Sequence, residues 1–311
     1  MKEFRLLGHW DLYLRLLRGI QSVNQQNRVH ILLENRMSTI ERSELILRFH
    51  QAIAWRAPFG FLERPRVLPL FRKPFRELPR KLSANLSEWI SHLSVHDRLS
   101  DIPSVEPMIR ERSNRKAHFY RAFSGRNTGL LIGWSGSRGR LMMPIANYLP
   151  VASSLQHDLL LLQPDRASGY GSGIPRFGAD FNGLVDGLSR FRDSSGYEKV
   201  IVLGTSLGSG PALVSAPRLG ADKCVVVGLT DIERSPYLPK WDEVFRLWSR
   251  SEGPSLSITA GSAAPADIQF SKMAQEHLGG TLELIQDQGH TPIWGLLRSG
   301  KFFDWFKRAA S

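Results

Sequence analysis

Ser206 stands in Gly204-Thr205-Ser206-Leu207-Gly208, a G-x-S-x-G pentapeptide. The apolar run Lys199–Leu203 leads into it, and small residues, Ser209-Gly210-Pro211-Ala212, lead out. That is the strand–turn–helix setting in which such a serine stands exposed at the tip of a sharp turn. Glycines flank it because the turn is too tight for Cβ atoms beside the hydroxyl. The tip also lies at a helix N-terminus, where backbone N–H groups favour negative charge. A serine hydroxyl is a weak nucleophile until a neighbouring base takes its proton. Gln288-Gly289-His290-Thr291-Pro292 offers that base, directly after the apolar run Leu282–Ile285. Of the other eight histidines, seven precede residue 158 and none has this placement.

Ser206 and His290 can meet only if the elements carrying them end on one edge. Apolar β-type runs occupy 129–134, 158–163, 199–205, 223–228, 255–259 and 281–285. Several are nearly continuous rather than alternating, the pattern of strands covered on both faces. Helical stretches are expected between and after them at 138–150, 178–193, 207–218, 236–250, 268–278 and 292–309. This alternation predicts a mostly parallel, doubly wound α/β sheet. Residues 118–123 are expected to add one antiparallel edge strand. In such sheets the loops after the strands share the edge where ligands bind.

With the Gly204–Gly208 elbow, the late Gly289-His290 and the strand series between them, residues 118–311 resemble the α/β-hydrolase superfamily. The resemblance implies a third residue, an acid that fixes the imidazole tautomer, in the order Ser…acid…His. The family's usual acid position holds Ala264 here. Asp267, three residues on, is the first choice, and Asp231 after the preceding strand is the alternative. The resemblance also implies two backbone donors for an oxyanion. One is the amide of Leu207. The other comes from the loop Gly133-Trp134-Ser135-Gly136, with Trp134 or Ser135 expected and Gly136 open. The implied function is a serine hydrolase that cleaves a carboxylic ester or thioester of a small-molecule acyl substrate through an acyl-enzyme. No metal or organic cofactor is called for. An acyltransferase using the same residues, and a non-catalytic binding protein on this fold, are the competing readings.

Other motifs add little. Asp165–Gly173 is glycine-rich, but no helix follows promptly, so a nucleotide site is not expected. Its Tyr170 is expected at the mouth of the site. No His-Glu-x-x-His, calcium-loop or Walker lysine pattern occurs. The single cysteine, Cys224, excludes an intrachain disulfide and a cysteine-based zinc site.

Residues 1–117 differ in character from the rest, and the domain boundary is expected there. They carry 21 Lys/Arg against 12 Asp/Glu, whereas residues 118–311 carry 20 against 17. The basic excess of the chain, +12 in all, is therefore N-terminal. Leu6, Trp10, Tyr13, Leu17 and Ile20 have helical spacing. A second helix is expected from Ser38, with Leu45, Phe49, Ala52 and Ile53 as its stripe. Five prolines between Pro58 and Pro79 mark an extended basic connector, and a short helix follows at 86–93. This mainly helical, basic extension suits an anionic surface or an acidic partner. Nucleic acid is disfavoured, because no RNA-binding signature accompanies the basic and aromatic residues. No transmembrane run or secretion signal is read, so the expected location is cytoplasmic, with peripheral membrane contact open. Little room for a lid separates Asp231 from Ser255, and residues 1–117 are the expected cover instead.

Overall fold

The computed structural model describes residues 13, 16, 19–37, 42, 45–46, 80–93, 106–111, 116–125, 127–249 and 253–311. Internal contacts divide the chain into two units, Met1–Ile102 and Pro103–Ser311. The stripe from Leu6, the helix from Ser38 and the proline-studded connector lie largely outside the described residues.

In the first unit, α1 (Val23–Glu34) and α2 (Arg80–Leu93) pack together. Helix α1 starts at a reciprocal cap. Ser22 Oγ accepts from the Gln25 amide, and the Gln25 side chain accepts from the Ser22 amide. Sequence reasoning missed this helix, although Ser22-x-x-Gln25 carries its signal. Helix α2 begins six residues earlier than expected. The two helices share a buried polar network: Tyr13 Oη lies 3.2 Å from His30 Nε2, and His30 stacks on Trp89 at 4.0 Å. The Trp89 indole donates to Glu34.

The second unit holds an eight-stranded sheet: β1 (Met108–Arg110), β2 (Ala117–Ala122), β3 (Gly129–Trp134), β4 (His157–Leu162), β5 (Lys199–Thr205), β6 (Lys223–Val227), β7 (Ser255–Gly261) and β8 (Thr281–Ile285). Their spatial order is β1-β2-β4-β3-β5-β6-β7-β8. From β4 to β8 every neighbouring pair is parallel, and β2 alone runs the opposite way, pairing antiparallel with both β1 and β4. Two expectations change here. The antiparallel strand expected at 118–123 is internal, because β1 pairs on its outer side. The sheet also begins ahead of residue 117, so the change in sequence character falls inside this unit.

Helices α3 (Leu149–Ser154), α4 (Phe181–Ser195), α5 (Ser209–Arg218), α6 (Trp241–Ser249), α7 (Pro265–Leu278), α8 (Ile293–Arg298) and α9 (Phe302–Ala310) complete the unit. One face of the sheet buries Leu130, Ile132, Val202, Val226 and Ile258 in a core with α4–α7. On the other face α9 packs on β6 and α3, and the Trp305 indole donates to Thr259 Oγ1 at 3.2 Å. The central strands are buried throughout, as their continuous apolar runs require.

Two expected helices are broken. The stretch 138–150 is mostly irregular. It contains Met142 at φ 64° and Pro144, with a 3₁₀ turn at Ile145–Asn147, and α-helix forms only from Leu149. Proline removes a backbone donor and restricts the residue before it. The stretch 292–309 is two helices, α8 and α9, because Gly300 at φ 71° ends the first in the left-handed manner usual past a helix C-terminus. Among the described residues no helix is long and apolar enough to cross a membrane.

Antiparallel β2 is fastened by a buried carboxylate. Asp158 Oδ1 accepts from the Ala122 amide and from Asn127 Nδ2, both at 3.0 Å, and Oδ2 accepts from Tyr197 Oη at 2.7 Å. Asp158→Ala leaves these donors without their acceptor, at about 1–3 kcal/mol for each buried group. We expect it to lower the urea midpoint by the equivalent of about 3 kcal/mol. An unchanged midpoint would mean the anchor is dispensable.

Candidate active site

Strand β5 runs into Ser206, which opens a short 3₁₀ turn, Ser206–Gly208, ahead of α5. Ser206 has φ 52°, a left-handed conformation rare for a residue with a side chain. The flanking glycines explain how the turn closes. A Cβ on Gly204 would lie 2.4 Å from Ala212 Cβ and 2.5 Å from Gly208 O. A Cβ on Gly208 would lie 2.1 Å from Trp134 O, the end of neighbouring β3. The elbow is therefore pressed against both its own helix and the adjacent strand.

His290 lies on the loop after β8, before α8. Its Nε2 is 2.8 Å from Ser206 Oγ, and its Nδ1 is 2.7 Å from Asp267 Oδ2. The carboxylate can only accept, so Nδ1 carries the proton and donates to Asp267. Nε2 then presents its lone pair to the Ser206 O–H, which donates to it. The Asp267 side chain is 9% exposed and that of His290 43%. The hydrogen bond to Asp267, partly offset by desolvation, raises the His290 pKa above its ordinary value.

Asp267 is not a loop residue. Pro265 begins α7, and Asp267 occupies its first turn. Unpaired amides there favour a carboxylate. Asp231, the alternative acid, is placed elsewhere. It caps the 3₁₀ turn Ile232–Arg234, its Oδ1 accepting from the Glu233 amide at 3.1 Å. The structure brings together Ser206, His290 and Asp267, and leaves Asp231 out of the hydrogen-bonded run.

The expected anion donors separate in the same way. Leu207 lies in the leading turn after the elbow, where amides have no intrahelical partner. Trp134 is the last residue of the β3 ladder, paired to Leu162 on one side and Gly204 on the other. Its indole is fully buried, edge-on to Tyr170 at 4.8 Å. The Ser135 amide donates to Leu162 O at 3.1 Å, and the Gly136 amide to Arg140 O at 2.9 Å. Those two N–H groups are already committed. The Gly139 amide donates to Gly136 O at 2.8 Å and closes a turn. Its central residues, Ser137 and Arg138, have no amide acceptor among the described residues. Gly136 adjoins Ser206, since a Cβ there would lie 3.3 Å from Ser206 Cβ.

Tyr170 does not reach a mouth. It is fully buried, and its hydroxyl is directed into the protein. Burial pushes its pKa far up, so it remains a neutral donor. Gln163, at the exit of β4, also contacts this loop, donating to Gly139 O at 3.0 Å. Sequence reasoning missed it, and no local pattern marks it. Among the described residues no cluster of His, Cys, Asp or Glu is placed to hold a metal.

No family model matches the chain. No curated protein matches it either. Several solved structures are similar over about two thirds of the chain. A predicted CIB-like hydrolase from Thermoplasma acidophilum is 15% identical, with 65% of this chain and 98% of that chain covered and a TM-score of 0.46. An alpha/beta hydrolase enzyme from the metagenome of lagoon sediments at Mar Chica, Morocco, is 16% identical, with coverages of 64% and 98% and a TM-score of 0.45. A carboxylesterase from the thaumarchaeon Nitrososphaera gargenis is 12% identical, with coverages of 64% and 97% and a TM-score of 0.44. The fold is read from the chain's own topology. A mostly parallel sheet is wound on both faces, its serine stands on a strained strand-to-helix elbow, and acid and histidine follow in that order. Residues 103–311 have the α/β-hydrolase fold.

Proposed function

We propose that the protein is a serine hydrolase that cleaves a carboxylic ester or thioester through an acyl-enzyme. The observation that carries this reading is the continuous hydrogen-bonded run from Ser206 Oγ through both nitrogens of His290 to Asp267. Ser206 Oγ attacks the substrate carbonyl carbon as its proton passes to His290 Nε2. The carbonyl oxygen becomes an oxyanion beside the Leu207 amide and an amide of the Gly136–Gly139 turn. The tetrahedral adduct collapses, the bond to the alkoxide or thiolate breaks, and His290 returns the proton to that leaving group. Water then attacks the acyl-enzyme with His290 again accepting a proton. Collapse frees the acid and restores the Ser206 hydroxyl. Asp267 holds the Nδ1–H tautomer and balances the imidazolium formed in each half.

Activity on short p-nitrophenyl esters and on acyl thioesters tests the reaction. We expect Ser206→Ala and His290→Ala each to lower kcat by at least about 10⁴-fold, with little added loss in the double variant, as for residues acting as one unit. Retained turnover in folded Ser206→Ala would remove the proposed nucleophile.

The base works only when neutral, so kcat/KM should rise with pH and level off. Because the hydrogen bond to Asp267 raises the His290 pKa, the rising limb should lie above the ordinary histidine value of about 6.5. Asp267→Asn removes the carboxylate charge and the enforced tautomer. It should move the limb to lower pH and cut kcat by about 10³–10⁴-fold. A limb that does not move would detach Asp267 from the titrating base.

A further inference from the structure

The turn beside Ser206 is gripped at both ends by side chains outside the hydrogen-bonded run. At its start, the Tyr170 hydroxyl lies 2.9 Å from Ser135 O and 3.0 Å from Leu162 O. A phenol has one proton, so the two carbonyls share it. Ser135 Oγ, 3.5 Å away, is then left as a donor toward the phenol oxygen. Leu162 O also receives the Ser135 amide, which makes this junction of the β3 and β4 exits a closed set of bonds. The ring cannot drift, because it is fully buried and edge-on to Trp134. At the far end, Gln163 Nε2 donates to Gly139 O at 3.0 Å. Gln163 is itself oriented. Arg110 donates to His118 Nδ1 at 3.1 Å, so His118 carries its proton on Nε2 and donates that to Gln163 Oε1 at 2.9 Å. This chain assigns the Gln163 amide orientation and links antiparallel β1 and β2 to the turn.

We propose that Tyr170 and Gln163 are positioning residues that hold the Ser135–Arg140 turn against Ser206, so that its unpaired amides meet the oxyanion without reorganisation. The inference rests on the proposed hydrolase reading. Neither side chain has a role in proton transfer. Both act through the backbone oxygens they hold. Oxyanion donors act by being fixed in advance where charge develops, and a displacement of about 1 Å can cost about 100-fold in rate. Loss of a grip should therefore weaken binding of the transition state and leave ground-state binding nearly untouched.

The test uses full-length wild type, Tyr170→Phe and Gln163→Met. Phenylalanine keeps the ring and removes only the hydroxyl, and methionine keeps the length of glutamine without its amide. Steady-state kinetics on a p-nitrophenyl ester, the inhibition constant of an alkyl boronic acid, and hydrogen exchange of the peptide spanning 133–140 are measured together. We expect each variant to lose about 10- to 100-fold in kcat with KM within about threefold. Boronate affinity should fall in parallel with kcat/KM, and exchange over 133–140 should quicken. Wild-type kcat and boronate affinity in both folded variants would overturn the proposal. A lower Tm with kcat unchanged well below melting would also overturn it, because the grips would then be structural only. Unchanged exchange over 133–140 beside a slowed reaction would overturn the positioning route. Wild type without esterase activity or boronate binding would instead bring down the hydrolase reading, and this inference with it.

Discussion

Ser206 is held at φ 52° between two glycines, one pressed on Ala212 and the other on the end of β3. A residue with a side chain costs about 1–3 kcal/mol in such a conformation and persists only where its surroundings over-determine it. Here the surroundings are β5, buried on both faces, and α5, whose first turn follows at once. The strain has a geometric product. It lifts Oγ off the sheet edge toward His290 and leaves the Leu207 amide at the head of a helical turn. Each other feature of the site is arranged around that fixed point.

The sheet supplies the arrangement. Parallel β5, β7 and β8 end on one edge, so the elbow, the start of α7 and the histidine loop converge there although 84 residues separate Ser206 from His290. Asp267 is carried on a helix, which fixes it more firmly than a loop would. Beneath the edge, buried polar groups tie strand exits together. Asp158 fastens β2, Tyr170 joins β3 to β4, and the chain from Arg110 through His118 to Gln163 reaches the turn beside Ser206. Strands β1 and β2 are thus tied by hydrogen bonds to the turn beside Ser206.

Much of this was legible in the residues. Apolar β-type runs locate six of the eight strands within a residue or two: five are largely buried, because strands covered on both faces leave little room for polar residues, and the sixth, β8, lies at the sheet edge with no buried residue. The elbow was legible because its glycines answer a local steric demand. The capping box at Ser22 is an equally local signal. What could not be read was set by distant contacts. Met108–Arg110 is too short for a periodicity, and it is a strand only because β2 pairs with it. Asp231 and Asp267 have similar local settings, and only the path of the histidine loop separates them. Nothing local to Ser135 shows that the exit of β4 takes up its amide. Tyr170 stood in a glycine-rich loop that suggested exposure, yet Trp134 and two carbonyls draw it inside.

The central claim is that Ser206 is an activated nucleophile. Its most direct test is intact-protein mass spectrometry after exposure to a fluorophosphonate, followed by peptide mapping of the adduct. The account predicts one phosphonyl group per chain, on Ser206, formed far more slowly when His290 is replaced by alanine. Folded protein that takes up no label, or a label that maps to another residue and survives Ser206→Ala, would contradict it.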